Sequence, residues 1–87
     1  MKSVRTLQYR KRYAALPAEI QRKADEAYQL FHSDPSHPGL HFKKLEDGNP
    51  EMWSVRIDHH YRAMGLKRGD TIAWVWIGTH REYEERI

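Results

Sequence analysis

The chain has 87 residues with no cysteine, 39% hydrophobic and 31% charged residues, and a formal charge of +3. This composition predicts one small folded domain in a reducing cytoplasm, and it excludes a disulfide framework and a thiolate metal site. The longest apolar run, Ile72 to Ile77, is too short to cross a bilayer, and nothing resembles a signal peptide, so no membrane association is expected.

The cations are concentrated at the start of the chain. Residues 1–23 contain seven Lys and Arg residues and one acid, Glu19, whereas three glutamates fall within the last six residues. This asymmetry favours an anionic partner such as RNA or an acidic protein segment. A solvated helix face explains the N-terminal run equally well, so both interpretations stay open.

The first half of the chain has helical periodicity. Thr6 is in position to cap a first helix, which carries aromatic residues on one face and ends before Pro17. Pro17 suits the first turn of a second helix that continues to about His32. The two helices are expected to pack as a hairpin, followed by a loop over SDPSHPG, residues 33–39.

The second half alternates between apolar and polar residues, as strands do. Four strands are expected, at Leu40 to Glu46, within MWSVRID (residues 52–58), at Tyr61 to Lys67, and at Thr71 to Ile77 in the middle of the sheet. Turns are predicted at residues 47–50 and 68–70. Consecutive hairpins make the strands antiparallel, so the predicted fold is α+β, an N-terminal helical hairpin packed on a small twisted antiparallel sheet. Residues 1–87 are expected to form a single domain.

Two of the three tryptophans lie in the last of these strands. Aromatic side chains on a sheet can stack on unpaired bases. With strict alternation, however, Trp74 and Trp76 share a face with Ile72, and they are predicted to fill the layer against the helices.

Gly78, Thr79 and His80 follow the last strand. Thr79 is in position to cap a final helical turn, which would place His80 and Tyr83 on one side, one turn apart. Cleavage of a phosphodiester by the ribose 2′-hydroxyl needs a base, an acid and cations beside the phosphate. An imidazole and a phenol at the end of the sheet are candidates for the first two roles.

Four basic residues are candidates for the cations. Arg56 lies on the polar face of its strand, where it can reach a phosphate, and Arg62, Lys43 and Lys44 lie on the neighbouring strands. None of them is specific alone, because an exposed arginine on a sheet is more often solvated or paired with a carboxylate. Their convergence on one face is what indicates an anion-binding site.

The six histidines do not indicate a metal site. His59 and His60 are adjacent and point to opposite faces of a strand, while His37 and His41 flank a loop, so no local cluster has ligand spacing. Ordinary surface side chains are the simpler interpretation, and no metal or other cofactor is expected.

The segments MWSVRI, HYRAMG and GD followed by IAWVWIGTHREY, together with FKKL, HPGL and ALPAEIQ, resemble the RelE/ParE superfamily of bacterial toxins from type II toxin–antitoxin systems. The likeness covers nearly all of the chain. It implies a helical hairpin on a twisted antiparallel sheet and, in the ribosome-dependent branch, an mRNA endoribonuclease that acts in the ribosomal A site. It also implies an antitoxin, encoded beside the toxin, that holds it inactive. The free toxin is expected to be a monomer. A strand before the helices is usual in the superfamily, but MKSVRT leaves little room for one, so this strand is expected to be either short or missing.

The resemblance also implies four catalytic residues. Arg56 and Arg62 fill family positions in the third strand and in the YR that follows it. His80 resembles the histidine that YafQ-like members place just after the last strand, and Tyr83 resembles the aromatic residue that follows.

Three further residues are predicted to bind RNA. Lys43 and Lys44 lie where RelE-like toxins carry catalytic lysines, and which of the two corresponds is left open. His60 falls near a position that is acidic and catalytic in YafQ-like members, so its role departs from the family pattern.

Two other functions remain possible at this level. A ParE-like toxin of the same fold inhibits DNA gyrase and needs no catalytic residues, and an inactive homologue would only bind an antitoxin. The combination of His80 with Tyr83 favours the ribonuclease over the gyrase inhibitor, because a pure binder has no reason to position an acid and a base. It does not exclude the inactive homologue.

Overall fold

The computed structural model of the chain describes residues 1–45 and 48–86, and of Arg86 only the main chain. The elements of this described part are β1 (Lys2–Arg5), α1 (Leu7–Ala14), α2 (Ala18–Ser33), β2 (Lys43–Lys44), β3 (Met52–Arg56), β4 (Tyr61–Arg68), β5 (Thr71–Thr79) and α3 (His80–Arg86), with a 3₁₀ turn at Pro38–Leu40. Among the described residues, no helix is both long and apolar enough to cross a membrane.

The strands form one sheet in the order β1-β5-β4-β3-β2. Neighbours from β2 to β5 are antiparallel, and β5 lies inside the sheet, which confirms both predictions. The sheet is mixed, however, because the four-residue β1 pairs parallel to β5, from Lys2↔Thr71 to Arg5↔Trp74. The strand before the helices is thus present but short, one of the two alternatives expected for MKSVRT. β1 and β5 are not joined by a hairpin, so the antiparallel rule does not apply to them.

The predicted strand from Leu40 to Glu46 is also partly wrong. Only Lys43–Lys44 is paired as a strand, and Glu46 and Asp47 lie outside the described residues. His41 has a positive φ of 46°, which ends the 3₁₀ turn and interrupts any extended run. The predicted turn between β4 and β5 is confirmed, with Gly69 at a φ of 58°, a conformation that glycine adopts without steric cost.

Helices α1 and α2 cover one face of the sheet, which we call the helix face. Thr6 caps α1 as predicted, since its hydroxyl accepts a hydrogen bond from the amide of Tyr9. Helix α2 buries Phe31 at 1% exposure, and its ring meets Phe42 and Trp74 edge to face at centroid distances of 4.9 and 5.1 Å. Each aromatic pair of this kind adds about 0.5–1.5 kcal/mol beyond the area that it buries. The other buried residues of this core are Tyr9, Ala24, Leu40, Val55, Ala63, Ile72 and Ile77.

A β-bulge in β5 divides its tryptophans between the two faces. Gly65 on β4 opposes Trp74 and Met64 opposes Trp76, so Val75 is the extra residue of the bulge. Trp74 therefore packs on the helix face. Trp76 packs on the opposite face, called the far face from here on, with Leu45, Met64 and Tyr83. The prediction that the two tryptophans share a face was wrong, because strict alternation does not allow for the inserted residue.

Candidate functional site

Two arginines are neighbours on the far face, where strands β3 and β4 meet their connecting loop. Arg56 and Arg62 are direct partners in the antiparallel register, and Arg62 is opposite Gly78 on β5. Directly opposed residues point to the same side of an antiparallel sheet, so the two side chains share this end of the far face. Burial, followed by repulsion from Arg56, lowers the pKa of Arg62 below its ordinary value. An anion between the two guanidinium groups would relieve that repulsion.

The loop between β3 and β4 holds both guanidinium groups. Nη1 of Arg62 donates to the carbonyls of Asp58 at 2.6 Å and Tyr61 at 3.0 Å. Nη2 of Arg56 lies 2.9 Å from Nδ1 of His59. A guanidinium has five N–H donors. Within the described residues these contacts use only Nη1 of Arg62 and only Nη2 of Arg56. Donors remain on both side chains for a phosphate.

Asp58 fixes the conformation of that loop. Its Oδ1 accepts from the amides of His60 and Tyr61 at 2.8 and 2.9 Å, and its Oδ2 accepts from Nζ of Lys23 on α2 at 3.3 Å. Burial opposes ionisation of the carboxyl, but these hydrogen bonds together hold the pKa of Asp58 below its ordinary value of 3.8. The loop that carries the arginines is thereby tied to helix α2.

His80 begins α3 beside this loop. Its amide donates to the carbonyl of His60 at 2.5 Å, immediately beyond the Tyr61↔Thr79 pair of the sheet. Nε2 lies 2.6 Å from Oε1 of Glu84, and the side chain is 41% exposed. Nδ1 is buried and has no hydrogen-bond partner in the part of the chain that the structure describes. The imidazole is thus accessible and oriented by a carboxylate, and we call Arg56, Arg62 and His80 the basic corner.

Tyr83 lies beneath the basic corner and not on its surface. The residue is 4% exposed and packs with Met64 and Trp76 on the far face. Its hydroxyl is 3.3 Å from Oγ of Ser54. The rings of His80 and Tyr83 lie side by side with centroids 5.8 Å apart. Tyr83 is therefore placed to support the histidine from the core.

The register of β2 separates the two candidate lysines. Lys43 is opposite Ser54 and Lys44 is opposite Trp53, and both lysines are exposed. Ser54 is opposite Met64 of the far-face core, whereas Trp53 packs against the helix-face core. Lys43 therefore shares the face of the two arginines, and Lys44 points to the other face.

His60 is exposed and contributes its main chain to the corner, since its amide is bound by Asp58 and its carbonyl binds the amide of His80. The ring of the neighbouring His59 lies against Nη2 of Arg56. No group of three His, Asp or Glu residues within residues 1–45 and 48–86 is arranged to hold a metal ion.

Three residues that shape the site were absent from the sequence prediction, namely Asp58, Glu82 and Glu84. Thr79 caps α3 as predicted, because its hydroxyl accepts a hydrogen bond from the Glu82 amide at 3.1 Å. Glu82 completes a capping box, because its Oε1 accepts a hydrogen bond from the Thr79 amide at 3.0 Å. Threonine followed three residues later by glutamate is the signature of that motif, and the four-residue spacing of His80 and Glu84 is that of a helical side-chain pair. Both signals can be read from the sequence.

Comparisons with known proteins give a family and a fold. The family model of the ParE-like toxin domain matches residues 18–85. None of the curated proteins matches the chain. The RelB-RelE antitoxin-toxin complex from Methanococcus jannaschii is similar with a TM-score of 0.75 at 17% identity, over 94% of this chain and 95% of that chain. The YoeB/ParE toxin from Agrobacterium tumefaciens is similar with a TM-score of 0.71 at 20% identity, over 92% of this chain and 99% of that chain. YafQ from E. coli is similar with a TM-score of 0.73 at 10% identity, over 94% of this chain and 96% of that chain. At these identities the similarity establishes the fold.

Proposed function

The chain belongs to the ParE-like toxin domain family, and we propose that it is the toxin of a type II toxin–antitoxin system that cleaves mRNA on the ribosome with side chains alone. The observation that carries this proposal is the register pair of Arg56 and Arg62 next to His80. Two cations and one accessible imidazole at a single corner supply phosphate binding and one of the two proton transfers that phosphodiester cleavage by a ribose hydroxyl requires.

In the proposed reaction the mRNA supplies its own nucleophile. The 2′-oxygen attacks the adjacent phosphorus, the bond from phosphorus to the 5′-oxygen breaks, and the products carry a 2′,3′-cyclic phosphate and a 5′-hydroxyl. His80 carries out one of the two proton transfers, either removal from the 2′-hydroxyl or supply to the leaving 5′-oxygen, and solvent water serves for the other. Arg56 and Arg62 stabilise the negative charge of the phosphorane. The ribosome aligns the nucleophile with the leaving group.

The other candidate residues take supporting roles in the proposal. Lys43 extends the cationic surface along the far face, and the exposed His60 is proposed to bind RNA beside the corner. Tyr83 is proposed to support the corner and not to transfer a proton, because its hydroxyl is buried beside Ser54. Its ring lies against His80, and it is close enough to influence the pKa of Arg62.

The arginine pair is tested by Arg56→Met and Arg62→Met, with Arg68→Met as the matched control. Arg68 lies at the other end of β4, where its Nε donates to Glu51 at 2.8 Å. In a purified translation system, loss of either corner arginine is expected to slow mRNA cleavage by about 100-fold or more, the usual effect of removing one transition-state donor. Arg68→Met should cleave like the wild type. Equal rates for Arg62→Met and Arg68→Met would refute the assignment.

An acidic antitoxin segment is proposed as the protein partner. The basic corner attracts carboxylates as well as phosphates, so a segment laid across it would neutralise the groups needed for cleavage. The M. jannaschii structure of similar fold is that of an antitoxin–toxin complex, which supports a partner of this kind. Arg56→Glu is expected to weaken binding of the neighbouring-gene antitoxin, measured by calorimetry, and Arg68→Glu to leave it unchanged. Unchanged affinity for Arg56→Glu would place the antitoxin elsewhere.

A further inference from the structure

We propose that Arg12, on helix α1, is a positioning residue for His80. This inference rests on the proposed function, since it assigns a role within the same site. The argument follows three contacts of one guanidinium group, which reach the last strand, the last helix and a tryptophan ring.

Arg12 first completes the edge of the sheet where β1 ends. β1 pairs with β5 only as far as Arg5↔Trp74, so no strand of the described part of the chain lies beside the following residues of β5 on that edge. Nε of Arg12 donates to the carbonyl of Ile77 at 2.7 Å. This bond occupies a main-chain acceptor that a longer β1 would otherwise use, and it does so three residues before His80.

The same guanidinium also holds the first turn of α3. Nη2 of Arg12 donates to Oε2 of Glu82 at 3.0 Å, while Oε1 of Glu82 accepts from the amide and the hydroxyl of Thr79 at 3.0 and 3.1 Å. The hydrogen bond from the Thr79 amide, with smaller contributions from the Thr79 hydroxyl and from Arg12, outweighs the burial that opposes ionisation and lowers the pKa of Glu82. Glu82 is therefore an anion that connects Arg12 to the residue immediately before His80.

Gly78 provides the space in which this contact forms. A Cβ at this position would lie 2.6 Å from Cζ2 of Trp76 and 2.9 Å from Nη2 of Arg12. The guanidinium carbon sits 4.9 Å from the centroid of the Trp76 ring, within the range of a cation–π contact. The sequence Gly78-Thr79-His80 thus has three separate roles: the glycine admits Arg12, the threonine caps α3, and the histidine belongs to the basic corner.

The start of α3 is consequently held from two sides. The carbonyl of His60 binds the amide of His80 from the β4 side, and Arg12 binds Ile77 and Glu82 from the opposite edge. Loss of the guanidinium removes the support of the end of β5 and of the first turn of α3 on the edge side, while the pairing with β4 remains. The imidazole then shifts relative to the arginine pair, which stays in place on β3 and β4. A misplacement of about 1 Å can slow a reaction by roughly 100-fold without loss of substrate binding.

The test compares Arg12→Met with Arg10→Met. Arg10 lies on the same helix, and its Nε also donates to a main-chain carbonyl of the sheet edge, that of Arg5, at 3.1 Å. Both variants therefore lose one charge and one hydrogen bond from Nε to a main-chain carbonyl, and Arg12→Met also loses the bond to Glu82 and the contact with Trp76. Arg12→Met is expected to lower kcat for cleavage of ribosome-bound mRNA by about 10- to 100-fold with KM nearly unchanged. Arg10→Met should remain near the wild-type kcat, and equal kcat values for the two variants would overturn the inference.

Two milder variants keep the test valid if Arg12→Met fails to fold. Arg12→Lys keeps the charge, but one ammonium cannot replace a guanidinium that bridges two acceptors. Glu82→Gln keeps the amide oxygen for the cap of α3 and removes the charge that faces Arg12. Both are expected to lower kcat, and wild-type rates for both would overturn the inference.

A readout without cleavage separates the two proposals. If the wild-type protein cuts no mRNA, the proposed function fails, but the position of His80 can still be followed by its imidazole NMR signals. These signals are expected to shift in Arg12→Met and Glu82→Gln and to stay unchanged in Arg10→Met, while the signals of the exposed His32 stay constant in all variants. Unchanged His80 signals in Arg12→Met would overturn the positioning role.

Discussion

Replacement of Asp58 is predicted to destabilise the protein, and more by alanine than by asparagine. Asp58→Ala removes three hydrogen bonds, to the amides of His60 and Tyr61 and to Nζ of Lys23. Because His60 is exposed and Lys23 is 37% exposed, water can replace part of what is lost, and each bond is worth about 1 kcal/mol net. The free energy of unfolding should fall by about 2–3 kcal/mol for Asp58→Ala. Asp58→Asn keeps an acceptor for both amides and loses the ion pair, so it should cost about 1 kcal/mol or less.

The asparagine variant also has a pH signature. The pKa of Asp58 in the folded protein lies below its ordinary value of 3.8. A group with a lowered folded pKa stabilises the fold above its unfolded pKa, and that stabilisation is lost as the pH falls through the folded pKa. The difference in unfolding free energy between the wild type and Asp58→Asn should therefore be fully present at neutral pH and shrink as the pH drops below 3.8.

The assay is urea denaturation of the wild type, Asp58→Asn and Asp58→Ala at neutral pH and along an acid series. Lys23→Met serves as the control, because it removes the ion pair and leaves the loop hydrogen bonds intact, so it should resemble Asp58→Asn. If Asp58→Ala is within about 0.5 kcal/mol of the wild type, the loop does not depend on this carboxylate. A pH-independent difference for Asp58→Asn would contradict the stated cause of the lowered pKa.

Three further predictions follow from the placement of individual side chains. Lys43→Ala should reduce mRNA cleavage several-fold and Lys44→Ala should not, because only Lys43 shares the face of the arginine pair; equal effects in the translation assay would contradict the register argument. Tyr83→Phe should cost about 1 kcal/mol in thermal unfolding through the lost contact with Ser54 and leave cleavage within a few-fold of the wild type; a loss of several orders of magnitude in rate would instead give the phenol a chemical role. Burial raises the pKa of Tyr9 from 10.0 to about 12, so the neutral form stabilises the fold below pH 10 and this contribution is lost as the pH rises towards 12. Between pH 10 and 12 the free energy of unfolding, measured by denaturation, should therefore fall less for Tyr9→Phe than for the wild type. An equal fall in both proteins would contradict the raised pKa of Tyr9.

The parts of the fold that depend on local signals were predictable from the sequence. Thr6 and Thr79 are hydroxyl residues directly before helical patterns, and both cap a helix. Gly69 sits between two alternating runs, and it forms the hairpin turn between β4 and β5. In each case a few neighbouring residues decide the backbone conformation, so a short window of sequence contains the answer.

The parts that depend on distant residues were not predictable. β1 is a strand only because β5 offers a parallel edge, and MKSVRT alone does not contain that information. The bulge at Val75 moves Trp76 to the far face, and it is defined by its pairing with β4. Strand periodicity assumes an unbroken alternation, so a single inserted residue reverses the face of every residue after it.

The same distinction applies to the site. The candidates Arg56, Arg62 and His80 lie at the ends of elements that the sequence placed well, and the register brings them to one corner. Arg12 could not be found in this way, because it is more than sixty positions from its partners Ile77 and Glu82. It is one of several cations in a basic helix, and only the packing of α1 beside β5 distinguishes it.

The central claim is that His80 takes part in mRNA cleavage on the ribosome. The most direct test compares the wild type, His80→Ala and the control His32→Ala in a purified translation system, with the mRNA ends mapped by primer extension. Codon-positioned cuts by the wild type and by His32→Ala, together with a loss of at least about 100-fold in folded His80→Ala, are the result that the account predicts. Cleavage by folded His80→Ala at the wild-type rate, or no ribosome-dependent cuts by the wild type, would contradict it.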